Sequence, residues 1–278
     1  MNTEDERKMQ VRLLTMFGWF HNFCVENGLR YYALGGTMLG AVRHRGFIPW
    51  DDDIDVGMPR ADYNRLAQLL KSHRGRYVLE TPFSPNWDYY YPFSKLYDTE
   101  TTLVENTRYK IKRGIYLDIF PLDGAGNTLQ EAETTFQKVW NKRKLLLAMT
   151  TGYRKGRSLR KNLAVFAARL IPNRIINKKK ILHNLEELCA RKDFENCKYV
   201  ANLVGNWGKR EIMKREVFGV PVNYAFESLS VWGPQDYDEY LTNLYRDWEK
   251  LPPVEKQISH HDFDFISLDQ SFLEQGVF

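Results

Sequence analysis

Apolar residues recur at helical spacing near the start of the chain, at Val11, Leu14, Phe17 and Cys24. This spacing predicts an amphipathic helix. Thr3 followed by Glu6 has the capping-box pattern of a helix start, and Gly28 marks the expected end. The chain is therefore expected to open with one long helix.

A strand, a glycine turn and a short helix are predicted next. Residues 29–36, LRYYALGG, have the pattern of a strand that runs into a double-glycine turn, and residues 37–44 suit a short helix. In residues 46–60, GFIPWDDDIDVGMPR, polar and apolar residues alternate at the end of the acidic run. Because strand side chains alternate between faces, Asp53 and Asp55 are expected to share one face.

The first half of the chain mixes helix and strand. Residues 60–73 have the spacing of an amphipathic helix. Strand patterns follow at 77–80, 89–98, 102–105 and 114–123.

After Gly126 the pattern changes to long helical stretches, at residues 128–150 and 173–193. We therefore predict an α+β fold, with a mixed sheet and flanking helices in residues 1–126. Residues 127–278 are predicted to form a mostly helical annex that packs on this core and contributes to the substrate site.

Composition limits the class of protein. A chain of 278 residues that is 43% hydrophobic can bury a substantial core, which argues against disorder. The three cysteines, Cys24, Cys189 and Cys197, lack CxxC spacing, so neither a disulfide framework nor a zinc site is indicated. No run of about 18 apolar residues and no secretory signal pattern is present. We expect a cytoplasmic protein.

Positive charge is concentrated in residues 141–180. The net charge of the chain is only +5, yet this stretch holds thirteen Lys or Arg and no Asp or Glu. Its cations alternate with apolar residues, which is typical of a helix that lies on an anionic membrane. A solvated helix face and a nucleic-acid surface are the alternatives. We favour peripheral contact with the inner face of the plasma membrane over nucleic acid.

The acidic run has the residues of a metal site. Two carboxylates on one face of a strand can hold Mg²⁺ or Mn²⁺ against donor phosphates, and Asp53 and Asp55 have this spacing. Asp51 continues the same parity, while Asp52 would brace the turn or face solvent. Asp118 interrupts an apolar strand and would complete the set, either as a metal ligand or as a general base.

The acidic run also allows two alternatives to a magnesium site. An acidic loop exposed to solvent would account for any single aspartate. A calcium loop would need glycine where Val56 stands and glutamate where Asp62 stands. Asp123, close after the third carboxylate, is expected to be a turn residue.

Several residues near the acidic run suit donor phosphate. Gly35 and Gly36 precede the short helix, where backbone amides favour anions, and Thr37 could add a hydroxyl. Arg43 could bind phosphate or ribose. Lys95 is a further phosphate candidate, although a surface lysine would have the same pattern.

These residues carry a resemblance to a known family. The segment YYALGGTMLGAVRHRGFIPWDDDIDVGMPRADY, residues 31–63, resembles the core motif of the LicD family, which includes the fukutin-related proteins. The resemblance continues at 91–102, at 114–124 and at 234–256. In the last segment Tyr245-Arg246-Asp247 departs from the family's Tyr-Gly-Asp, which predicts an altered turn.

The resemblance implies a function. Similar proteins are metal-dependent transferases of the nucleotidyltransferase fold, which move phosphocholine from CDP-choline, or phosphoribitol from CDP-ribitol, to a glycan and release CMP. It implicates Asp53 and Asp55 as metal ligands, Asp51 as a supporting residue and Asp118 as the third carboxylate. The acceptor would be a glycan or lipid-linked glycan, such as lipopolysaccharide or teichoic acid. The expected form is the bacterial, cytoplasmic one.

A choline group would be recognised by aromatic faces. Trp87, Tyr89 and Tyr91 share one face of a predicted strand and form a possible cage, although ordinary strand packing would also account for them.

Two other classes of function compete with the transferase. A nucleotidyltransferase would attack a nucleoside triphosphate and nucleotidylate a small molecule or glycan, and the same fold would permit it. A degenerate binding protein would keep the fold and lose the carboxylates, but the acidic set is intact.

Overall fold

The computed structural model describes residues 3–86, 88–107, 110–150, 163, 166, 177–259 and 263–274 of the chain. The helices are α1 (Thr3–Glu26), α2 (Gly35–His44), α3 (Arg60–Leu70), α4 (Leu129–Thr150), α5 (Lys178–Cys189), α6 (Arg215–Phe218) and α7 (Tyr237–Tyr245). Short 3-10 helices span Gly208–Glu211 and Val254–Lys256.

Twelve strands lie in the described residues: β1 (Tyr32–Ala33), β2 (Asp55–Pro59), β3 (Tyr77–Glu80), β4 (Ser94–Asp98), β5 (Thr102–Glu105), β6 (Lys112–Arg113), β7 (Tyr116–Gly126), β8 (Tyr199–Ala201), β9 (Ile212–Lys214), β10 (Val222–Phe226), β11 (Leu229–Gly233) and β12 (Phe263–Ser267). The α+β fold is therefore confirmed.

The central sheet has seven strands and is mixed. Its main path runs β1, β2, β7, β4, β3, and β8 and β9 extend it from the far part of β7. The pair β2 and β7 is parallel, whereas the other pairs in this sheet are antiparallel. Two small sheets complete the fold, one of β10 and β11 and one of β12, β5 and β6.

Alternation along β7 places two apolar clusters on opposite faces of the sheet. Leu117 and Ile119 pack in a cluster with α1 and α3, and Phe120 and Leu122 pack in a second cluster with α2, α4, α5 and α7. The sheet is therefore covered on both sides, and Asp118 shares the parity of the second cluster.

The second half of the chain contains five strands that its sequence pattern did not predict. Strands β8 and β9 have only three residues each, too few to show alternation. Strands β10 and β11 are joined through Glu227, which has a φ of +54°, and the sequence there lacks the Asn-Gly or Asp-Gly signal of a tight hairpin. The predicted domain boundary near residue 126 stays a prediction.

Asp123 is a buried strand residue, and its prediction as a turn residue is wrong. Strand β7 continues through Pro121 to Gly126, and Asp123 pairs with Ala201 of β8. Its carboxylate accepts two hydrogen bonds from Arg60, at 2.7 and 2.8 Å, and Arg60 also donates to Glu186 at 2.7 Å. A charged residue is accommodated in this strand because this ion pair compensates it.

Within the part of the chain that the structure describes, no helix is long and apolar enough to cross a membrane. Most of the basic stretch 141–180 lies outside the described residues, which include 141–150, 163, 166 and 177–180 of it.

Candidate active site

A cavity of about 730 Å³ opens beside the start of α2 and the acidic run. Asp51, Asp53 and Asp55 line it, together with Gly35 and Gly36. The sequence predicted that these five residues would lie close together, and the structure brings them together. The fold achieves this because β1 leads into α2 and pairs with β2, the strand that Asp55 begins.

The two glycines let the acidic side chains approach the helix start. Gly35 has a φ of +51°, and its N–H donates to the hydroxyl of Tyr240 at 2.9 Å. A Cβ on Gly36 would lie 2.5 Å from Oδ2 of Asp51, so no larger residue fits there without a shift. The positive end of a helix favours neighbouring carboxylates. The glycine pair therefore shapes the acidic cluster.

Thr37 fixes the start of β2. Its Oγ1 accepts a hydrogen bond of 2.8 Å from the backbone N–H of Asp55, and the side chain is buried. Its assignment as a donor ligand stays a prediction, but the contact gives Thr37 a definite role in positioning Asp55.

Asp55 and Asp118 lie opposite each other on the parallel strands β2 and β7. Burial raises the pKa of Asp55 well above its usual value, and the charges of Asp53, Asp118 and Asp51 raise it further. Burial also raises the pKa of Asp118, to about 6, against the opposing effect of Lys95. The sheet thus concentrates like charges at one place, which costs free energy unless a cation offsets it.

Lys95 is a buried partner of Asp118. Its Nζ lies 2.8 Å from Oδ1 of Asp118 and 3.6 Å from Oε1 of Glu105. The same ammonium lies 3.2 Å from the ring centroid of Tyr116 and 4.6 Å from that of Tyr91. Lys95 is only 2% exposed and does not line the cavity, and its assignment as a ligand of donor phosphate stays a prediction.

Asp51, Asp52 and Asp53 each offer an oxygen within 4.8 Å of the others, and they form the one such group of three acidic residues among the described residues. Asp52 is buried and accepts a hydrogen bond of 2.5 Å from Ser259 Oγ. Asp52 therefore connects the acidic turn to the C-terminal segment. Of the two predicted roles, bracing the turn and facing solvent, the structure shows the first.

Arg43 lines the cavity from the last turn of α2. Its Nη1 donates to the carbonyl oxygen of Trp248 at 2.8 Å and to that of Lys250 at 3.3 Å. Arg43 therefore fixes the segment that forms the opposite edge of the cavity. A direct contact with donor phosphate or ribose stays a prediction.

The tyrosines of the predicted choline cage, Tyr89 and Tyr91, lie outside the lining of this cavity. Tyr89 is fully buried and donates to the carbonyl oxygen of Phe93 at 2.6 Å, and Tyr91 hydrogen-bonds Glu105. Neither residue lines the cavity, and Trp87 lies outside the described residues. In this structure Tyr91 packs against the ammonium of Lys95, and Tyr89 packs against Tyr91.

Sequence reasoning missed the aromatic wall of the cavity. Trp207, Tyr245, Trp248 and Trp50 all line it. The resemblance at residues 234–256 could have indicated Tyr245 and Trp248, which lie in that segment. No sequence pattern near Trp207 indicated a role for that residue.

Arg246 takes the backbone conformation that its position in the motif predicts for glycine. Its φ is +68°, and it caps the end of α7 through an N–H that donates to Thr242 O at 3.0 Å. The turn therefore keeps a positive φ at this position although arginine replaces glycine. An arginine in this region is strained relative to glycine.

A small cavity of about 50 Å³ lies behind the main one and is lined by Asp55, Glu211 and Tyr240, among others. Glu211 Oε1 accepts from the backbone N–H of Trp207 at 3.3 Å. Burial raises the pKa of Glu211 from 4.5 to about 7.

Glu211 is expected to make the protein less stable as pH rises from about 4.5 to about 7, because the folded state holds a proton there that the unfolded chain has lost. The free energy of unfolding should fall by about 3 kcal/mol from this group across that window. Urea unfolding of the wild type and Glu211→Gln at several pH values measures this. The variant should lose most of this decline, whereas Glu216→Gln, at an exposed site, should keep it.

Residues 28–152 match the family described as LicD/FKTN/FKRP, nucleotidyltransferase domain. The chain is 28% identical over 264 residues to the lipopolysaccharide cholinephosphotransferase LicD of Haemophilus influenzae, a match that covers 92% of this chain and 95% of that protein.

Shorter matches involve other relatives. The ribitol 5-phosphate transferase FKRP of Homo sapiens is 43% identical over 56 residues, which is 20% of this chain and 11% of that protein. An uncharacterized protein of Rickettsia prowazekii is 46% identical over 50 residues, 18% of this chain and 19% of that protein. Residues 28–152 are therefore a nucleotidyltransferase domain of the LicD/FKTN/FKRP family, which confirms the resemblance found in the sequence.

Proposed function

We propose that this protein transfers a phospho-alcohol, foremost phosphocholine, from a CDP-alcohol to a hydroxyl of a cell-surface glycan. The observation that carries the proposal is the set of carboxylates at the 730 Å³ cavity, where Asp51, Asp53 and Asp55 are accessible and Asp118 lies behind them. The near full-length similarity to a lipopolysaccharide cholinephosphotransferase supports the choice of donor.

The carboxylate set fits a divalent cation. Oxygen donors are what Mg²⁺ and Mn²⁺ prefer. Burial raises the pKa of Asp55 most, and the neighbouring carboxylates raise it further because Lys95 offsets their charge only in part. Asp53 and Asp55 would hold the ion, with Asp51 in support. Such an ion neutralises charge on the donor phosphates and on the leaving CMP.

The chain's own residues bind and orient the substrates. The acceptor oxygen attacks the phosphorus that carries the alcohol, the bond from that phosphorus to the CMP oxygen breaks, and the proton of the acceptor hydroxyl is released to solvent. Gly35 and Gly36 let Asp55 and Asp51 approach the start of α2, and Thr37 holds the backbone of Asp55 in place. The cavity walls then fix the line of attack.

We assign Asp118 to the support of the carboxylates that would hold the cation, through its charge beside Asp55, and not to proton transfer from the acceptor. Asp118 is 8% exposed, pairs with Lys95 and does not line the cavity. A general base must reach the proton that it takes. Asp118→Asn should therefore raise the magnesium concentration needed for half-maximal activity.

Nucleotidyl transfer from a nucleoside triphosphate is the second candidate, because the domain belongs to a nucleotidyltransferase class. The test is magnesium-dependent release of CMP from CDP-choline, CDP-ethanolamine, CDP-ribitol and CDP-glycerol, alongside CTP and ATP, with a lipopolysaccharide or teichoic acid fraction as acceptor. CMP release coupled to labelling of the glycan supports the proposal. Release of pyrophosphate from a triphosphate, without CMP from any CDP-alcohol, would overturn it.

We also propose that the basic stretch 141–180 contacts an anionic membrane surface. Its charge is uniformly positive, and Leu145 and Leu147 on α4 are exposed beside Lys142 and Lys144. Such a contact would bring the site close to a lipid-linked acceptor.

Replacing Arg154, Lys155 and Arg157 by glutamine is expected to weaken binding to phosphatidylglycerol vesicles roughly a hundredfold, since each cation near the surface contributes about 1 kcal/mol. Vesicle sedimentation at several salt concentrations measures this. The matched control replaces the exposed Arg65, Lys71 and Arg74 and should bind as the wild type does. Equal binding by both triple variants would contradict the proposal.

A further inference from the structure

The cavity has one acidic side and one aromatic side. The acidic side belongs to the family-matched domain, whereas Trp207, Tyr245 and Trp248 come from residues beyond it. Trp207 is 40% exposed, and Tyr245 and Trp248 are half-buried. Large aromatic rings that stay accessible at a polar cavity are available to a ligand.

Trp207 and Tyr245 form a corner. Their ring centroids lie 4.6 Å apart and their planes meet at 70°. A flat nucleobase stacks best against one ring face or between parallel rings. A corner of two faces instead surrounds a rounded group, and a quaternary ammonium is the rounded group that aromatic faces attract electrostatically.

The loop that carries Trp207 is held by hydrogen bonds from buried side chains. The buried Arg143 of α4 donates to the carbonyl oxygen of Gly205 at 2.9 Å and to Oδ1 of Asn206 at 2.6 Å. Glu211 accepts from the backbone N–H of Trp207. Supporting contacts of this kind preorganise a binding group, so little ordering is needed when a ligand arrives.

Trp248 is fixed in a similar way at the other edge. Its Nε1 donates to Asp238 at 3.1 Å, and its carbonyl oxygen accepts from Arg43. Asp247 lines the same cavity, and its carboxylate pairs with Lys250 at 3.0 Å, so its charge is offset. The ring faces are therefore the groups at this edge that attract a cation.

We propose that Trp207 and Tyr245, with Trp248 at the edge, form a quaternary-ammonium subsite that selects the alcohol of the donor. This inference rests on the proposed function and adds the residues that make the choice. A trimethylammonium group has no N–H to donate, so ring faces and nearby carboxylates are what remains to recognise it.

Calorimetric titration in magnesium with CDP-choline, and with the analogue whose choline nitrogen is replaced by carbon, tests the inference independently of turnover. The two ligands have the same shape and differ in charge. The wild type is expected to bind CDP-choline about tenfold more tightly, and Trp207→Leu should reduce this preference to about twofold or less. Trp207→Phe should keep part of the preference.

Trp19→Leu is the matched control, because Trp19 lies on α1 against Phe23 and does not line the cavity. It should keep the wild-type preference. Equal binding of the two ligands by the wild type, an unchanged preference in Trp207→Leu, or no binding of either ligand would overturn the subsite.

CMP release is measured on the same proteins. Charge-selective binding without CMP release from any donor would overturn the proposed function and leave the subsite in place. CMP release from CDP-choline without charge-selective binding would overturn the subsite and leave the proposed function in place.

Discussion

Replacing Asp55 by asparagine is expected to reduce magnesium-dependent CMP release at least a hundredfold while the protein stays folded. The charges of Asp53 and Asp118 both act on Asp55, and Asp55 lines the cavity. Its replacement therefore removes a ligand from the proposed cation site. A bound cation contributes several kcal/mol to the stabilisation of developing charge, and about 2.7 kcal/mol corresponds to a hundredfold in rate.

The stability of the same variant separates this role from a structural one. The pKa of Asp55 is raised, so its ionised form costs free energy in the folded state at neutral pH. In EDTA, Asp55→Asn should therefore unfold at the same or a higher denaturant concentration than the wild type. Asp269→Asn, at an exposed carboxylate, is the control for activity. Near-normal CMP release by Asp55→Asn would refute the assignment.

Replacing Arg60 by alanine is expected to lower the free energy of unfolding by about 3 to 5 kcal/mol. Arg60 is the shared partner of Asp123 and Glu186, and both acidic side chains are at most 4% exposed. The substitution leaves two buried carboxylates without their cation. Because these residues lie on α3, β7 and α5, the loss is expected to loosen the contact between sheet and helices. Urea unfolding measures it.

Arg30 provides a close control for this experiment. It also bridges two acidic residues, Asp62 and Glu195, but its side chain is 40% exposed. Surface pairs contribute at most about 1 kcal/mol, so Arg30→Ala should change stability little. If the two arginine variants lose similar stability, burial is not what sets the strength of the Arg60 network.

The acidic half of the candidate site was predictable because its signal is local. Asp53 and Asp55 are two residues apart on one strand pattern, and the glycine pair precedes them by only a short helix and a loop. Asp118 was also found, because a carboxylate in an apolar strand needs a partner. Strand β7 then places it beside Asp55.

Lys95 shows why the place of some residues could not be predicted from sequence. A buried lysine and a surface lysine have the same local pattern. Its partner became known only through the pairing of β4 with β7, in which Lys95 lies opposite Asp118. The position of Tyr91 could not be predicted either, because its ring packs against the ammonium of Lys95.

The aromatic wall depends on long-range contacts that no local pattern contains. Trp207 follows β8, which reaches the site because it pairs with β7, and Tyr245 is the last residue of α7. The two rings are far apart in sequence and meet only after these elements pack. Short strands without alternation gave no signal for that arrangement.

The carboxylates that line the cavity and three rings of the aromatic wall come from separate stretches of the chain: Asp51, Asp53 and Asp55 lie before residue 60, whereas Trp207, Tyr245 and Trp248 lie after residue 205. On the proposed function, the reaction and the choice of donor alcohol therefore depend on different stretches. A chimera that exchanged residues 205–258 with a relative is expected to change the alcohol transferred while keeping the same reaction. Such a division would let one reaction attach different alcohols through changes in the later stretch alone.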